Sequence, residues 1–547
     1  MNKFLSLLVC AAVGVLSLRL SGSAIYVDPS TGSDDEGDGS ESAPYKTLGK
    51  GLEVSLEPSS LYNALYLGPG RYVLTNNVEF GRATNRGVEN SIRLIGRSGN
   101  RDDVIIDGQG QYWWHQKNYE RGICSVTFSN LYANATQALM LYSAGYGVDD
   151  GSDTRIFSNC VVTCCKTVGS GDTVNIVQMS GQVGMRDCVV RNCTAARDVV
   201  MGQGGCRVDC CEFTSNTAYA VVELTSFAYG DRDRYAASHA SGSSFKGNGA
   251  TSGVLVGVPV VENTSFVSNV MGNGVCVYNQ QFSNTPIRMR ESVFDSNTST
   301  NAQNQTGCWG LFFNNASLKS SLIENCVFSH GSAPNIGGQW NAGGGAIRFL
   351  VKGLGGGEFL VRNVAFIDND YGTAQGSILG FFLNQVTDAG TIRFENCTLA
   401  GNSVANNKTA VYFNDANLSS VFFVNCVFDT VYANGTHVHG IGGVSGWDAF
   451  EYSNMSNCLF ASAFAHEFDA AQKIVNGADP LFAEGSYVPS KNSPLVDVGT
   501  NSAWMTTAYD LQRKPNGKPA CKRIVNGTVD IGAYEYRAIP GLCLIVR

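Results

Sequence analysis

The sequence predicts an all-β protein whose chain winds into a parallel β-helix. Three observations favour this class. A motif typified by FENCTLAGN at residues 394–402 returns about every thirty residues through most of the chain. The spacing between copies varies, whereas helical repeats keep a nearly fixed period. The residues between copies are mainly Val, Ile, Phe, Gly, Ser and Asn, so strands joined by loops of variable length fit better than paired helices.

The first 24 residues have the pattern of an export signal. A basic head precedes an apolar run over residues 4–18, and small residues lead up to Ala24. We therefore expect residues 1–24 to be a signal peptide, with a lipoprotein anchor at Cys10 as the alternative. No other stretch approaches the roughly 20 apolar residues that a membrane helix needs. The mature chain is thus expected to be a monomer without a transmembrane segment, either secreted or held at the cell surface.

The composition limits the partners of the chain. Only 15% of the 547 residues are charged, and the formal net charge is −8. This balance argues against nucleic acid as a partner and against a disordered tail. The 18 cysteines become 17 once Cys10 is removed, so at least one thiol is expected to be unpaired or to pair between chains.

Residues 25–60 are expected to cap the first turn of the β-helix. An open sheet end exposes unpaired backbone groups that must be covered. The sequence offers an alternating strand from Ile25, an acidic Gly/Ser loop, and a short amphipathic helix from about Pro44. The loop carboxylates could chelate calcium, which prefers oxygen ligands; the alternative is a flexible solvated loop. These calcium candidates are Asp34, Asp35 and Asp38.

Residues 61–475 are expected to form the turns, or rungs, of the β-helix, each with a corner at the Asn of the motif. In the FENCTLAGN copy Ile392 and Phe394 alternate, Asn396 interrupts, and Cys397 resumes one residue out of step. A bend at Asn396 keeps both arms facing one interior, and its left-handed conformation suits Asn and Gly. Stacking rungs about 4.8 Å apart should then bring equivalent Asn side chains together. The predicted corners are residues 130, 159, 187, 210, 242, 263, 291, 325, 363, 396, 425 and 457, among them Asn159, Asn263, Asn325, Asn363, Asn396, Asn425 and Asn457.

The residue after the corner is often Cys and should point inward as a small buried hydrophobe. Stacked neighbours point the same way, which disfavours a disulfide between them. Cysteines off this column are the better disulfide candidates in an exported protein. The inward set is Cys160, Cys188, Cys211, Cys326, Cys397, Cys426 and Cys458, and the disulfide candidates are Cys164, Cys165, Cys193 and Cys206.

The beginning of the chain resembles a known family. The segments YVDPSTGSD from residue 26, APYKTL from 43, LGPGRY from 67 and IIDGQG from 105 resemble the opening of pectate-lyase-like right-handed parallel β-helix proteins. That family includes exported bacterial polysaccharide lyases, glycoside hydrolases and surface proteins. The resemblance implies right-handed winding, an extracellular destination and a glycan as partner.

The end of the chain resembles a second module. The segments DPLFAEG at 479, SPLVDVG at 493, YDLQRKPNG at 509 and VDIGAYEY at 529 are similar, in order and spacing, to the choice-of-anchor Q domain. The resemblance implies a C-terminal cap module over residues 476–536 and a surface destination, without naming a reaction. The family usually carries Gly and then Arg after the Asp-Leu pair, where this chain has Gln512 and Arg513. Residues 537–547 remain as a short tail.

Candidate site residues come from charged and aromatic stretches. Enzymes of the pectate-lyase-like family place carboxylates on one outer strand face, with calcium and a basic residue in lyases, or as two or three Asp in hydrolases. The densest charged stretches could hold a metal or an acidic sugar, or they could be solvated loops. Two tryptophans could stack on sugar rings or be buried. The catalytic candidates are Asp149, Asp150, Asp153, Asp231, Asp233 and Arg234, and the binding candidates are Trp309 and Trp340.

Two functions remain, from different classes. The family's Gly-His-Gly and Arg-Ile-Lys hydrolase motifs are absent, and no acid or base recurs in register on the predicted outer positions. We therefore favour a non-catalytic protein that binds polysaccharide or a cell-surface glycan, or a structural surface role. The alternative is a carbohydrate-active enzyme, either a polysaccharide lyase or a glycoside hydrolase. No cofactor is certain, and calcium is possible.

Overall fold

The chain forms a right-handed parallel β-helix, as the sequence predicted. In this fold, strands on successive rungs pair in parallel and build long sheets along the helix axis. The computed structural model describes residues 23–55, 62–80, 92–117, 122–142, 156–171, 173–180, 184–203, 205–225, 238–272, 274–279, 286–300, 308–314, 320–333, 344–350, 356–371, 377–382, 390–404, 410–413, 420–432, 437–438, 441–443, 452–463, 466–514 and 516–537.

Three long parallel sheets, here called the first, second and third sheet, contain most of the strands. The first sheet consists of Ser23–Val27, Tyr62–Leu67, Arg93–Gly96, Ile123–Cys124, Ile156–Ser158, Gly184–Arg186, Arg207–Asp209, His239–Ser241, Val260–Glu262, Arg288–Arg290, Leu322–Glu324, Glu358–Arg362, Thr391–Glu395, Val421–Val424 and Met455–Ser456. The second sheet consists of Gly70–Val73, Val104–Asp107, Thr127–Ser129, Val161–Thr163, Val189–Arg191, Glu212–Thr214, Ser244–Lys246, Ser265–Val267, Val293–Asp295, Val327–Ser329, Ala365–Ile367, Thr398–Val404, Val427–Tyr432, Leu459–Phe460 and Val475–Asn476.

The third sheet completes each rung. It consists of Val78–Phe80, Trp114–Lys117, Leu139–Tyr142, Val177–Ser180, Asp198–Gln203, Thr217–Thr225, Gly249–Val256, Val275–Asn279, Leu311–Asn314, Gly344–Leu350, Ser377–Phe382, Val411–Phe413 and Ile441–Gly443. Shorter strands lie beside these sheets: Tyr132–Asn134, Lys166–Val168, Val270–Met271, Thr298–Ser299, Asp370–Tyr371 and His437–Val438. The helical elements are the α-helix Leu48–Ser55 and the 3-10 helices Tyr452–Asn454, Ala470–Gln472 and Ala503–Thr506. Within the described part of the chain, no helix is both long and apolar enough to cross a membrane.

The predicted corners adopt the left-handed backbone conformation. All twelve have φ between 48° and 59°. Successive corners are joined by backbone hydrogen bonds, as in the 3.0 Å bond from the Asn396 N–H to the Val424 carbonyl. One position was misassigned: Ser125, not Asn130, aligns with Asn159, because the strand Thr127–Ser129 pairs with Val161–Thr163. The corners between the first and second sheets are called the first corner column below.

Asn130 belongs to a second corner column, which lies about five residues later in each rung, after the short strand of the second sheet. Its left-handed residues have φ between 50° and 65°. The two bends explain the phase slips in FENCTLAGN, where Asn396 makes the first corner and Gly401 the second. The second column consists of Asn130, Cys164, Asn192, Ser215, Gly247, Ser268, Ser296, His330, Asp368 and Gly401.

The interior of the β-helix is filled by stacked side chains. Phe213, Phe245, Phe266, Phe294 and Phe328 stack with ring centroids 4.6–5.0 Å apart, close to the strand spacing. The rings are nearly parallel, with interplanar angles of 4–8°. Each rung therefore buries one ring directly above the ring of the rung before it.

A buried asparagine column follows the second corner. The Nδ2 group of Asn216 donates to Oδ1 of Asn248 at 3.0 Å, Asn248 to Asn269 at 3.0 Å, and Asn269 to Asn297 at 2.9 Å. The sequence analysis did not assign this column, although its Asn stands three residues after Phe in each copy. In the first corner column, direct amide bonds join Asn363 to Asn325 and Asn425 to Asn396.

The seven predicted inward cysteines are buried free thiols. Burial raises the pKa of the Cys188 and Cys397 thiols well above the usual value. The disulfide candidates Cys164, Cys165, Cys193 and Cys206 are also free. Cys165 and Cys193 do not lie off the inward columns, because they occupy the position that Asn216 takes on the next rung.

The N-terminal segment begins the first sheet and covers the first rung. The strand Ser23–Val27 pairs in parallel with Tyr62–Leu67. The helix Leu48–Ser55 lies over both strands, with Gly51 so close to Val27 that an added Cβ would lie 2.3 Å from its Cγ2. Residues 1–22 of the predicted signal peptide lie outside the described residues, so that prediction stays open.

The C-terminal segment folds back along the side of the last rungs. Leu495 and Ile531 pack with Val427 and Leu459 of the second sheet. Leu511 packs against Ala365 in the same way. This segment, residues 478–537, is called the C-terminal module, and it covers the first corner column over the last rungs.

Candidate functional site

In the predicted calcium loop, Asp34 and Asp38 each accept hydrogen bonds from backbone groups. Asp34 accepts hydrogen bonds from the backbone N–H groups of Lys46 and Thr47 and from the Thr47 hydroxyl, at 2.6–2.9 Å. Asp38 accepts from the backbone of Ser40 at 2.9 Å. Among the residues that the structure describes, no three His, Cys, Asp or Glu side chains converge as a metal site requires. Asp34 thus anchors the chain just before the helix Leu48–Ser55.

Trp309 is not a sugar platform, which corrects the sequence prediction. Its side chain is fully buried, and its indole N–H donates to the Tyr371 hydroxyl at 2.9 Å. The ring leaves so little room that a Cβ added at Gly331 would lie 2.1 Å from it. The longer rung in this region encloses its Trp in the interior instead of presenting it to solvent.

Asp35 is exposed in the predicted calcium loop. The other predicted catalytic and binding residues lie outside the described residues. They are Asp149, Asp150, Asp153, Asp231, Asp233, Arg234 and Trp340. In sequence, the first two charged stretches each lie between a strand of the third sheet and the next strand of the first sheet: residues 143–155 follow Leu139–Tyr142, and residues 226–237 follow Thr217–Thr225. Both charged stretches therefore directly follow strands of the third sheet.

A charged cluster lies on two neighbouring strands of the third sheet. The Arg197 guanidinium lies 3.3 Å from the Glu223 carboxylate and 3.7 Å from that of Asp198. Asp198 is fully buried and Glu223 nearly so, whereas 27% of the Arg197 side chain is exposed. The guanidinium also lies over the Tyr219 ring, 3.9 Å from its centroid. We call these four residues the third-sheet cluster.

Burial decides the charge of Asp198. Burial, together with the neighbouring negative charge of Glu223, raises the pKa of Asp198 to about 8, although Arg197 acts in the opposite direction. The carboxyl group of Asp198 is therefore protonated at neutral pH. A carboxyl group that stays protonated near neutral pH is the kind of group that general acid catalysis uses.

Polar side chains connect the third-sheet cluster to earlier rungs. The Asp198 N–H donates to Asn175 Oδ1 at 3.0 Å, and Asn175 Nδ2 donates to Gln178 Oε1 at 3.2 Å. Gln137 Nε2 donates to the same Gln178 oxygen at 2.9 Å, and His115 Nε2 lies 2.8 Å from the Gln137 carbonyl. The cluster is thus held in place by buried hydrogen bonds across five rungs.

The sequence analysis missed this cluster. It looked for recurrent acids on outer positions, whereas Asp198 and Glu223 each stand alone within apolar strand sequence, RDVVM and YAVVELT. A charged residue within an apolar strand run is itself a signal, because such a charge is stable only when it is paired or hydrogen bonded. The two runs lie on adjacent rungs, as the pairing of Asp198 with Ala220 shows.

A second surface feature lies on the first corner column. A groove of about 450 Å³ is lined by the loop of residues 99–102 and by corner residues of the next rungs. Its polar lining includes Asp102, Asp187 and Glu212, and Cys210 lies at its edge. Partial burial, and after it the nearby carboxylates, raise the pKa of the Cys210 thiol, so this exposed thiol is not an activated nucleophile.

Comparisons with known proteins find solved structures that resemble this chain. No protein-family model and no curated protein matches the chain. It is similar to the catalytic unit of a GH87 α-1,3-glucanase from Streptomyces thermodiastaticus strain HF3-3, with 13% identity, a TM-score of 0.33, and coverage of 79% of this chain and 70% of that one. It is also similar to pectate lyase Pel9A, with 12% identity, a TM-score of 0.23, and coverage of 95% and 98%. A tailspike protein double mutant of E. coli bacteriophage HK620 has 13% identity, a TM-score of 0.30, and coverage of 68% and 66%. No site residue is assigned from these likenesses.

Proposed function

We propose that the chain is an exported, surface-associated β-helix protein that binds polysaccharide at the third-sheet cluster. The observation that carries this proposal is the Tyr219 ring, 38% exposed and fixed against the Arg197 guanidinium. Tyr combines an apolar ring face with a polar tip, so it can contact the apolar face of a sugar and its hydroxyl groups together. A ring already held in place loses little conformational entropy on binding.

The localisation rests on the two ends of the sequence. The N-terminal export pattern and the resemblance of residues 476–536 to the choice-of-anchor Q domain both favour a destination outside the cytoplasm. Buried thiols, which need no oxidising compartment, are compatible with this destination because they are shielded by the core.

Glycan-array binding with matched Tyr variants tests the proposal. We expect residues 25–547 to bind at least one neutral or uronic-acid polysaccharide, and Tyr219→Ala to weaken that binding by about tenfold or more, about 1.4 kcal/mol. Tyr509→Ala is the control, because this Tyr is similarly exposed, at 43%, on the C-terminal module. Equal binding by both variants would place the glycan elsewhere, and the absence of binding to any glycan would overturn the proposal.

A second candidate function is hydrolysis of a glycan. The Asp198–Glu223 pair favours it, because glycosidases use two carboxyl groups and a pKa raised to about 8 makes Asp198 a candidate general acid. The test is release of reducing ends from neutral and uronic-acid polymers, with unsaturated products and calcium dependence followed in parallel. Loss of turnover in Asp198→Asn, with binding retained, would support the hydrolase. Calcium-dependent cleavage abolished only by Asp231→Ala and Asp233→Ala would indicate a lyase instead.

A further inference from the structure

The first corner column binds main-chain carbonyl groups wherever it is covered by the C-terminal module. The side-chain Nδ2 of Asn363 donates to the Tyr509 carbonyl at 2.9 Å. Asn396 donates to the Asp530 carbonyl at 3.0 Å, and Asn425 donates to the Thr500 carbonyl at 2.9 Å. Three successive corner amides thus recognise the backbone of an irregular chain segment lying across them.

A loop near the N-terminus binds the same column in the same way. Asn159 Nδ2 donates to the Gly99 carbonyl at 2.8 Å. In the reverse direction, the Arg101 guanidinium donates to the Asp187 carbonyl at 2.7 Å. Two unrelated segments of the chain therefore use one recognition mode, in which corner amides and corner carbonyls pair with the groups of a covering peptide.

Between these two covered parts, the segments that the structure describes leave corner residues exposed. We call corners 210, 242 and 263 the open corner stretch. Cys210 and Asn263 are exposed, whereas the covered corners Asn363, Asn396 and Asn425 are fully buried. The groove of about 450 Å³ adjoins one end of the stretch. At the other end, Arg513 of the C-terminal module pairs with Glu291 at 2.7 Å.

The charges around the open corner stretch favour a basic occupant. Acidic side chains at its border are Asp102, Asp187, Glu212 and Glu262. The cations beside it are Arg101, which is bound to the Asp187 carbonyl, Arg186, and Arg290, which pairs with Glu324 at 3.4 Å. The Arg513–Glu291 pair gives an example within this chain of a basic residue in a covering segment meeting a carboxylate at a corner. Charge-assisted hydrogen bonds of this kind are stronger than neutral ones.

We propose that the open corner stretch binds an extended, basic polypeptide segment of a partner protein. The partner's main-chain carbonyls would accept from the Asn263 amide, as the backbone of the C-terminal module accepts from Asn363, Asn396 and Asn425. Its Arg or Lys side chains would meet Glu212 and Asp187. Main-chain hydrogen bonds supply affinity and side-chain charges supply selectivity, as in other modes of extended-peptide recognition.

Fluorescence polarisation with labelled decapeptides tests this proposal. The probes are three Gly/Ser peptides that carry four Arg residues, four Asp residues, or no charge. We expect residues 25–547 to bind the Arg peptide and not the Asp peptide. Asn263→Gly, which keeps the left-handed backbone and removes the amide, should weaken binding by about tenfold, and Glu212→Gln should weaken it by several-fold.

Matched controls separate docking from general charge attraction. Asn192→Gly removes an exposed left-handed Asn of the second corner column, and Glu358→Gln removes an exposed carboxylate of the first sheet; both should leave binding unchanged. Binding that ignores Asn263→Gly, or that falls equally in the controls, overturns the proposal. The proposal would also be overturned if a neutral oligosaccharide displaced the Arg peptide and if Asn263→Gly weakened binding of that oligosaccharide. The open corner stretch would then be a glycan site.

Discussion

At the scale of single residues, two kinds of Asn perform different tasks in one repeat. In FENCTLAGN the first Asn, Asn396, takes the left-handed corner, whereas the second, Asn402, is buried and accepts from the Asn369 side chain at 2.9 Å. The corner needs the tolerance of Asn for positive φ. The buried site needs an amide that can donate and accept at once, because it satisfies both an N–H and a carbonyl of the preceding rung.

We predict that Asn269→Ala destabilises the β-helix. Asn269 Oδ1 accepts from the Asn248 backbone N–H at 3.0 Å, and its Nδ2 donates to the Phe245 carbonyl at 3.0 Å. Removing the amide leaves buried polar groups without partners, which costs about 1–3 kcal/mol for each group. The urea midpoint should fall accordingly, whereas Asn134→Ala, at an exposed strand position, should leave it almost unchanged. An unchanged midpoint in Asn269→Ala would contradict the role of the column.

At the scale of elements, the C-terminal module is organised around a buried charge cluster. The fully buried Arg523 lies 3.0 Å from Glu535 and donates to the Gly532 carbonyl at 2.8 Å. Asp510 accepts from the Glu535 backbone N–H at 2.9 Å, and Asp530 accepts from that of Asp497 at 2.8 Å. The Asp and Glu of the sequence segments YDLQR and VDIGAYEY are therefore structural.

Gln512 stands where the choice-of-anchor Q domain usually has Gly, and its side chain contacts the same buried cluster. Its Nε2 group donates to the Asp510 carboxylate at 2.5 Å and to the Glu535 carbonyl at 2.6 Å. A Gly at this position would leave both acceptors with one partner fewer. The Gln512 side chain thus links the segments YDLQR and VDIGAYEY by hydrogen bonds and does not disturb the module.

We predict that the stability of the protein falls as pH rises from about 4.5 to about 9, in part through Glu535. Burial raises the pKa of Glu535 to about 9, more than Arg523 lowers it. Because the folded state then binds more protons than the unfolded state in this window, the stabilisation is complete below the unfolded pKa and is lost as pH approaches the folded pKa. Asp198, with its pKa raised to about 8, contributes in the same direction.

Thermal unfolding at pH 6 and pH 9 checks this prediction. The midpoint of the wild type should be lower at pH 9, and Glu535→Gln, which stays neutral, should reduce the difference. Asp198→Asn should reduce it independently, since the two groups lie in different parts of the fold. The same pH dependence in Glu535→Gln and the wild type would rule out Glu535 as a source of the effect.

At the scale of the whole molecule, the β-helix and the C-terminal module form one continuous structure. The module covers corner amides that would otherwise be exposed to solvent. The Trp504 indole N–H donates to the Glu395 carboxylate at 2.6 Å, and the Arg362 guanidinium lies over the Trp504 ring. Burying these apolar and polar surfaces together couples the module to the rungs, because neither surface is satisfied alone.

We predict that a chain ending at Gly477 exposes apolar surface and unfolds at a lower temperature. Val427 and Leu459, which are fully buried beside Leu495 and Ile531, would then face solvent. A several-fold rise in ANS fluorescence is expected. The control is a chain ending at Arg537, which retains the described contacts of the module. Equal ANS binding by the two truncations would show that the module is an independent unit.

The sequence alone determined the winding and its corners. Positive φ is costly for most residues, so a bend repeated at Asn or Gly is visible in the chain without coordinates. The inward Cys positions followed from the same register, because alternation on each arm fixes which side chains face the interior. The error at Asn130 arose because Asn and Gly also occur in the second corner column, as at Asn192, Gly247 and Gly401, and only strand pairing separates the two columns.

The tertiary structure decided everything that depends on distance between rungs. Trp309 could not be assigned to the interior from its sequence, because an exposed and a buried Trp have the same neighbours along the chain. Asp198 and Glu223 are 25 residues apart in sequence, and only the parallel pairing of their strands brings both to Arg197. The charge of Asp198 is set by its burial and by its neighbour Glu223, and neither effect exists before the rungs stack.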